Sequence, residues 1–278
     1  MRVFLLGATG TIGSAVLREL VGRGHEVLAL ARSEASAGKI ARHQATVVRG
    51  NIETPETWVP SLPTVDGVIH MACDFGSAME AIDRHLLDRL LARLAAQPNR
   101  ARFLYTGGCW LFGPTGERPA TEETPFSPLA AFAWMVPHLQ RILDSDEVSG
   151  LVIHPAMVHG GDGGVFRRFA RAAAEGRPVR VVGSEDVRWP LVHCDDLAVL
   201  YALVLEGAAG GSSWLGVTVE GFPVGRIART FSKEVEIVST DTIADELGDW
   251  ARGYACDQRL SGDKARRKLG WSPVNGFP

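Results

Sequence analysis

The feature that most constrains the fold is a glycine-rich turn near the beginning of the chain, set between two different hydrophobic patterns. Residues 2–6 are a short apolar run that is typical of a buried strand. Residues 7–13 read GATGTIG, and residues 14–22 then carry apolar side chains at helical spacing. A second apolar run at 26–30 completes the order strand, turn, helix, strand, which predicts an α/β fold with a parallel sheet.

The spacing of the three glycines has a mechanical reason. Gly7 permits a tight turn, Gly10 lets the backbone approach a pyrophosphate, and Gly13 lets the helix pack closely on the strand. The N–H groups at the start of the helix would then face the anion, so the turn predicts a dinucleotide site. The other residues of the turn that are predicted to contact the dinucleotide are Thr9, Thr11 and Ile12. The alternative, a glycine-rich turn without a ligand, is weak between a strand and a helix.

The end of the second predicted strand distinguishes the two nicotinamide dinucleotides. A site for NAD usually has Asp or Glu there, about 20 residues after the glycines, to bind the ribose 2′-hydroxyl. This chain has Arg32 instead, and a guanidinium suits a 2′-phosphate. We therefore expect NADP(H) as the preferred cofactor and NAD(H) as the second candidate. The alternative is that Arg32 is a solvated arginine at a strand end.

The composition argues against several other classes of protein. The 278 residues carry a formal net charge of −3, which gives no electrostatic reason to bind nucleic acid or an anionic membrane. No apolar run is long enough to span a bilayer, and the first residues enter a strand without a secretory signal. The 4 cysteines form no CxxC pair, which favours reduced thiols, a cytoplasmic location and no metal site.

Strands and helices continue to alternate up to about residue 155. The predicted strands are 45–49, 66–72, 102–106 and 151–154, and the predicted helices are 78–96 and 128–143, the second interrupted by Pro137. Beyond this point the alternation weakens, although a helix capped by Asp195 or Asp196 would return to the sheet. We expect a dinucleotide-binding domain at 1–155, joined by 192–205, and a smaller mixed α/β substrate lobe at 156–278.

Several motifs resemble, in the right order, those of the extended short-chain dehydrogenase/reductase family of NAD(P)-dependent epimerases and dehydratases. The motifs are GATGTIG, GNI at 50–52, VIHMA at 68–72, HPAMVHG at 154–160, VHCDDL at 192–197 and KLGWSP at 268–273. The resemblance implies a Rossmann-like, doubly wound parallel sheet with helices on both faces. It also implies further cofactor contacts at strand ends, namely Asn51, Ile52, Met71, Ala72, Thr106, Pro155 and Val158.

The catalytic residues of that family do not carry over. The resemblance implies a serine or threonine followed by a Tyr-x-x-x-Lys motif, in which the tyrosine is the acid and base and the lysine lowers its pKa. In this chain Gly108 stands at the serine position. No tyrosine lies within 126–138, and no lysine lies between positions 39 and 233. The family's acid/base mechanism is therefore not available to this chain.

Two residues are candidates for the remaining chemistry. Thr106, at a strand end, could hydrogen-bond a substrate carbonyl, and His138 could act as an acid near neutral pH. Depending on the register, either Phe132 and Val136 or Trp134 and His138 occupy the family's tyrosine and lysine positions. For both candidates the alternative is a purely structural role.

The substrate is predicted to meet residues that follow the same strand ends. Aromatic side chains there could form a pocket for a flat apolar substrate, and His154 and His159 flank the turn at Pro155. The predicted substrate residues are Cys109, Trp110, Trp134, His159 and Arg188. The alternatives are a buried inert cysteine, core packing of the aromatic rings and a solvated arginine.

Together these features favour an NADP(H)-dependent oxidoreductase that acts on a small molecule without the Tyr/Lys pair. The alternatives are a non-catalytic NADP(H)-binding sensor or regulatory protein, and a nucleotide-sugar epimerase or dehydratase. The resemblance also implies that the helices near 78–96 and 128–143 can pair between two copies, so we expect a monomer or a homodimer.

Overall fold

The computed structural model describes residues 1–73, 75–76, 78–161 and 163–276. Its strands are β1 Arg2–Leu6, β2 Glu26–Ala31, β3 Thr46–Arg49, β4 Gly67–His70, β5 Arg102–Thr106, β6 Ser149–Pro155, β7 Met157–His159, β8 Val179–Val182, β9 Arg188–His193, β10 Ser212–Gly216, β11 Val219–Pro223 and β12 Val235–Val238. Its α-helices are α1 Thr11–Gly22, α2 Glu34–Ala41, α3 Met79–Ala95, α4 Met135–Leu143, α5 Arg167–Ala174, α6 Cys194–Gly207, α7 Val224–Phe231, α8 Thr240–Leu247 and α9 Asp263–Leu269.

The chain divides into two compact units that alternate along the sequence. The first unit comprises Met1–Gly107, Pro137–Ile153 and Leu197–Ser213. The second unit comprises Gly108–Val136, His154–Asp196 and Trp214–Pro278. The segment Gly108–Val136 therefore groups with the second unit, whereas the sequence prediction placed it within 1–155. None of the helices in the described part of the chain has the length and apolar character that a membrane span requires.

The central sheet has seven strands in the order β10-β6-β5-β4-β1-β2-β3. Each neighbouring pair in the series β6-β5-β4-β1-β2-β3 is parallel, and helices pack against the sheet. This architecture confirms the predicted Rossmann-like α/β fold. The chain runs outward from β1 through β2 to β3 and then returns to β4 on the other side of β1. In such sheets ligands bind beyond the carboxyl ends of the strands at this reversal, which here lies after Leu6 and His70, two residues paired across the sheet.

The core of the first unit follows from the apolar strands and from one face of each long helix. The side chains of β1 from Val3 to Leu6 are fully buried, as a strand covered on both faces requires. In α3 the buried residues recur at helical spacing, namely Met79, Asp83, Leu86, Leu87, Leu90, Leu91 and Leu94. Asp83 is a carboxylic acid within this otherwise apolar stripe, and its partners are described below.

Two predicted boundaries near the site and one predicted helix interruption were wrong. Strand β4 ends at His70, so Met71 and Ala72 follow the strand and do not belong to it. The predicted helix at 128–143 begins only with α4, after a 3₁₀ turn at Ala130–Phe132. Pro137 does not interrupt this helix, because it lies in the first turn of α4, where a missing N–H group costs little.

The second unit contains the three-stranded sheet β11-β9-β7 and the two-stranded sheet β12-β8. The predicted cap at Asp195 or Asp196 was also wrong, because α6 begins at Cys194 and both acids lie in its first turn. The backbone N–H of Asp195 instead donates to Nδ1 of His193 at 3.2 Å. The carboxylate of Asp196 accepts the backbone N–H groups of Val274 and Asn275 at 2.9 and 3.0 Å, and so holds the C-terminal segment of this unit.

Candidate cofactor and active site

The turn between β1 and α1 has the backbone geometry of an anion cradle. Gly7 has a φ of +87°, and a Cβ on Gly13 would lie 2.0 Å from the carbonyl oxygen of Gly7, so both positions require glycine. At Gly10 the nearest atom to such a Cβ is 3.6 Å away, so packing does not explain the glycine there. Gly10 is the N-cap of α1 and, being glycine, has no side chain that could cap the helix. The N-terminal N–H groups of α1 therefore fit a pyrophosphate, as the sequence predicts.

Two arginines lie at the ends of neighbouring strands on one edge of the sheet. Arg32 directly follows β2 and is exposed. Arg49 ends β3 opposite Ala31, and its guanidinium contacts the carboxylate of Glu34 at 2.7 Å. Sequence reasoning identified Arg32 and missed Arg49, although the pairing of the second and third strands was a signal for it. Together the two guanidinium groups suit a 2′-phosphate.

The turn after β3 is shaped by Trp58. Its indole N–H donates to the backbone carbonyl of Asn51 at 2.8 Å, and a Cβ on Gly50 would lie 2.4 Å from the indole ring. Asn51 also accepts the N–H of Glu53 through its side-chain oxygen at 3.3 Å. Asn51 and Ile52 are half-buried, which leaves both predicted cofactor contacts partly accessible.

The ends of β4 and β5 place three more predicted residues. Met71 and Ala72 are half-buried, and a Cβ on Gly7 would lie 2.9 Å from the backbone nitrogen of Ala72. The hydroxyl of Thr106 is 2.7 Å from that of Tyr201 on α6. Burial raises the pKa of Tyr201, so this phenol stays protonated and can hold the Thr106 hydroxyl in place. The sequence gave no signal for this partner.

His138 belongs to a buried hydrogen-bond network centred on Asp83. Its Nδ1 is 2.6 Å from one carboxylate oxygen of Asp83, and Nε2 of His70 is 2.7 Å from the other. The hydroxyl of Tyr105 donates to Asp83 at 2.9 Å. The exposed fractions are 1% for Asp83, 2% for His70 and Tyr105, and 8% for His138. Sequence reasoning identified His138 but none of its partners.

In the second unit, Cys109 and the predicted aromatic residues are mainly packed against other side chains. Cys109 is buried, and burial raises the pKa of its thiol to about 12, so it stays a thiol. The ring of Trp110 lies 5.5 Å from that of Phe132 and 5.7 Å from that of Tyr254. Trp134 is half-exposed and donates its indole N–H to the backbone carbonyl of Ala131 at 3.1 Å. Among the predicted aromatic rings, Trp110 and Trp134 therefore keep some surface for a flat substrate.

Arg188 is held by carboxylates of its own unit. Its guanidinium contacts Asp257 at 2.7 Å and Glu117 at 2.9 Å, and it also donates to the carbonyl of Gly116 at 3.0 Å. These partners occupy the donors that a substrate anion would need. The geometry therefore favours a structural role for Arg188 over the predicted substrate contact.

The turn at Pro155 carries two buried histidines. His154 is fully buried, with ring centroids 5.2 Å from Phe112 and 5.6 Å from Phe126, and burial lowers its pKa to about 3. It has no exposed surface with which to contact a substrate, although the sequence predicted that it could. Pro155 is buried, whereas Val158 in β7 is half-buried.

His159 lines a cavity of about 490 Å³ within the second unit. Its ring stacks on Phe166 with centroids 5.1 Å apart, and burial, followed by the charge of His193, lowers its pKa to about 4. Ligand atoms of His193, Cys194 and Asp195 lie within 4.8 Å of one another in the described chain, as a metal site would require. However, Nδ1 of His193 already accepts the N–H of Asp195, so the arrangement is explained without a metal.

Comparisons with known proteins agree with this fold. A model of the NAD dependent epimerase/dehydratase family matches residues 3–214. The uncharacterized protein C2A9.02 of Schizosaccharomyces pombe is 30% identical over 286 residues, which cover 99% of this chain and 96% of that protein.

Two solved structures share the architecture over nearly the whole chain. The dTDP-glucose 4,6-dehydratase DesIV from Streptomyces venezuelae, with NAD bound, has a TM-score of 0.84 at 18% identity and covers 100% of this chain and 93% of its own. The human epimerase family protein SDR39U1, with NADPH, has a TM-score of 0.78 at 18% identity, with coverages of 98% and 95%. At these identities the likeness shows the fold.

Proposed function

The chain belongs to the NAD dependent epimerase/dehydratase family, and we propose that it is an NADP(H)-dependent oxidoreductase acting on a small molecule without the Tyr/Lys pair. The observation that carries the proposal is the glycine cradle at the start of α1, where Gly10 is not required by packing. The family and the bound dinucleotides of the structural neighbours support a nicotinamide cofactor. When bound, that cofactor would exchange a hydride with the substrate carbon.

The preference for the phosphorylated cofactor rests on Arg32 and Arg49. Arg32 follows β2, where an NAD site usually has a carboxylate for the ribose 2′-hydroxyl, and Arg49 ends the neighbouring strand opposite Ala31. The carboxylate of Glu34 is neutralised by Arg49 at 2.7 Å. A 2′-phosphate would therefore meet a net positive charge at this edge of the sheet.

The proton that accompanies the hydride would come from His138, and the hydroxyl of Thr106 would orient the reacting oxygen. Both residues belong to the first unit, as does the glycine cradle. His138 is held by the carboxylate of Asp83 at 2.6 Å, and Thr106 by the hydroxyl of Tyr201 at 2.7 Å. Fixed side chains of this kind lower the entropy cost of reaching a reactive geometry.

Titration of the protein with NADPH, NADP⁺, NADH and NAD⁺, followed by intrinsic tryptophan fluorescence, tests the cofactor part. We expect saturable binding, at least 10-fold tighter for the phosphorylated pair, since one charge-assisted hydrogen bond contributes about 1.5–3 kcal/mol. Oxidation of NADPH is then measured against a panel of carbonyl, imine and enone compounds, and turnover of at least one of them is expected.

These measurements, together with an assay on nucleotide sugars, distinguish the alternatives. Tight binding without turnover, with different affinities for NADP⁺ and NADPH, would favour a redox sensor over an oxidoreductase. Conversion of a nucleotide sugar without net oxidation of the cofactor would favour an epimerase or a dehydratase. The absence of saturable binding by all four dinucleotides would overturn the proposal.

A further inference from the structure

We infer that Asp83 is a positioning residue, which keeps a proton on Nδ1 of His138 and so makes Nε2 the atom of that ring that exchanges protons. The use of this exchange in catalysis rests on the proposed function. The position of the proton itself does not, and it can be measured without substrate.

The inference starts from the hydrogen-bond capacity of the groups in the network. Asp83 accepts from three partners, at 2.7 Å from His70, 2.6 Å from His138 and 2.9 Å from Tyr105. An ionised carboxylate has only acceptor atoms, so each of the three partners must supply a hydrogen. His138 therefore carries its hydrogen on Nδ1, the atom that faces Asp83.

The charge state of the network agrees with this assignment. Burial opposes ionisation of Asp83, but the hydrogen bonds from His138 and His70 outweigh it and hold the pKa of this carboxyl well below its usual range. Burial, followed by the charge of Asp83, raises the pKa of Tyr105 well above its usual range, so the phenol keeps its proton. Asp83 is consequently the anion of the group over the whole neutral range.

The second histidine of the network is held by Asp83 through its other ring nitrogen. Nε2 of His70 faces Asp83 and must donate to it, while Nδ1 of His70 accepts the backbone N–H of Ala72 at 3.3 Å. Both ring nitrogens of His70 are thus engaged, with the hydrogen on Nε2. His70 is held in the opposite tautomer from His138, and it fixes the carboxylate toward which His138 is oriented.

The proton balance of the proposed reaction follows from these tautomers. In the reducing direction the substrate carbon gains a hydride, and the substrate oxygen gains the proton that leaves Nε2 of the His138 imidazolium. His138 would then be neutral with its hydrogen on Nδ1 toward Asp83, and the bound dinucleotide that supplied the hydride would be oxidised. Water returns the proton to Nε2 between turnovers, and the carboxylate stabilises the imidazolium each time it forms.

The position of His138 on α4 makes this device relevant to the missing family residues. In one of the two registers of the sequence comparison, His138 stands where the resemblance places the lysine. A lysine there would carry its own positive charge. An imidazole paired with a buried carboxylate is positively charged only while it carries the proton that it transfers.

The test is ¹⁵N NMR of the full-length protein labelled at histidine, without cofactor or substrate, from pH 5 to 9. The signals of His138 and His70 are assigned with His138→Gln and His70→Asn. In its neutral form His138 is expected to show a protonated Nδ1 and an unprotonated Nε2, and His70 is expected to show the reverse. A protonated Nε2 in neutral His138 would overturn the inference.

Asp83→Asn and Tyr105→Phe are the matched variants. A carboxamide has one acceptor oxygen and cannot accept from all three donors. Asp83→Asn should therefore change the tautomer of His138 and shift the pH dependence of its ¹⁵N signals. Tyr105→Phe leaves the carboxylate in place and should preserve the tautomer. If the enzyme turns over a carbonyl substrate, Asp83→Asn should lower kcat about 10²–10⁴-fold with little change in KM.

Each result decides between the two roles of Asp83. An unchanged tautomer and pH profile in Asp83→Asn would show that the residue is only structural, as would a changed tautomer with full activity. The charge of Cys73 also contributes to the raised pKa of Tyr105. We expect the Cys73→Ser variant to keep the wild-type pH dependence of the His138 signals. Loss of that dependence in this variant would show that it comes from the thiol of Cys73. If Asp83→Asn does not fold, the tautomers of the wild type and of Tyr105→Phe still decide the inference.

Discussion

At the scale of single residues, the cofactor preference depends on two charges that lie on adjacent strands. Arg32 is exposed, whereas Arg49 is partly engaged by Glu34. A surface ion pair of this kind contributes little to stability. The two arginines can therefore be changed with little effect on folding, so a change in cofactor affinity can be measured without a change in stability.

We expect Arg32→Ala to weaken binding of NADPH about 10–100-fold and to leave binding of NADH nearly unchanged, because the lost contact is to the 2′-phosphate. Arg49→Ala should also weaken binding of NADPH, because its removal leaves the carboxylate of Glu34 unpaired near the phosphate. Fluorescence titration gives both values, with Lys39→Ala on α2 as the control. Equal losses for NADH and NADPH in Arg32→Ala would contradict the assignment.

Residue-scale reasoning from the sequence identified His138 and Thr106 but not what holds them. Asp83 lies 13 residues from His70, 22 from Tyr105 and 55 from His138, so no local spacing links the four residues. One signal was present, because Asp83 is a charged residue within the apolar stripe of α3. A charge at such a position is rarely buried without a partner, but the partners come from three other elements and require the fold.

At the scale of elements, the turn that opens the chain was predicted well because glycine reports backbone geometry directly. The strand, the turn and the helix all appear where the pattern indicates, and Gly7 has the positive φ that the tight turn requires. The helix boundary near Pro137 was predicted poorly, since a proline is unfavourable within a helix but neutral in its first turn. The cap of α6 was missed because a histidine, not an acid, accepts the backbone N–H of Asp195 in the first turn.

We expect Gly13→Ala to destabilise the protein by about 1–3 kcal/mol and to abolish dinucleotide binding, because the new methyl group would meet the backbone of Gly7 at 2.0 Å. Gly22→Ala is the matched control on the same helix. A Cβ at Gly22 meets no atom within 4 Å, so this change should leave stability equal or raise it by up to about 1 kcal/mol. Urea unfolding measures both, and a neutral Gly13→Ala would contradict the packing argument.

At the scale of the whole molecule, two buried imidazoles make folding sensitive to mild acid. Burial lowers the pKa of His154 to about 3 and of His159 to about 4, whereas the unfolded chain titrates near its ordinary value of about 6.5. As the pH falls below about 6.5 the unfolded state binds protons first, so stability is lost from there down to the folded pKa values. Asp83 acts in the same direction at still lower pH, because its pKa is lowered as well.

We expect the free energy of unfolding to fall between pH 7 and pH 5 by about 2 kcal/mol for each of these imidazoles, because one pKa unit corresponds to about 1.4 kcal/mol. His154→Leu should remove about half of this dependence, and His43→Asn at a half-exposed position should keep it. Denaturant unfolding at several pH values measures the slope. A slope in His154→Leu as steep as in the wild type would contradict the role of the buried imidazole.

The alternation of the two units along the chain has a consequence for inheritance. Six segments alternate between the units, and the last change occurs only after Ser213. A single recombination point anywhere between residues 108 and 213 would therefore leave both units incomplete. Neither unit can thus be exchanged with another gene through one recombination point.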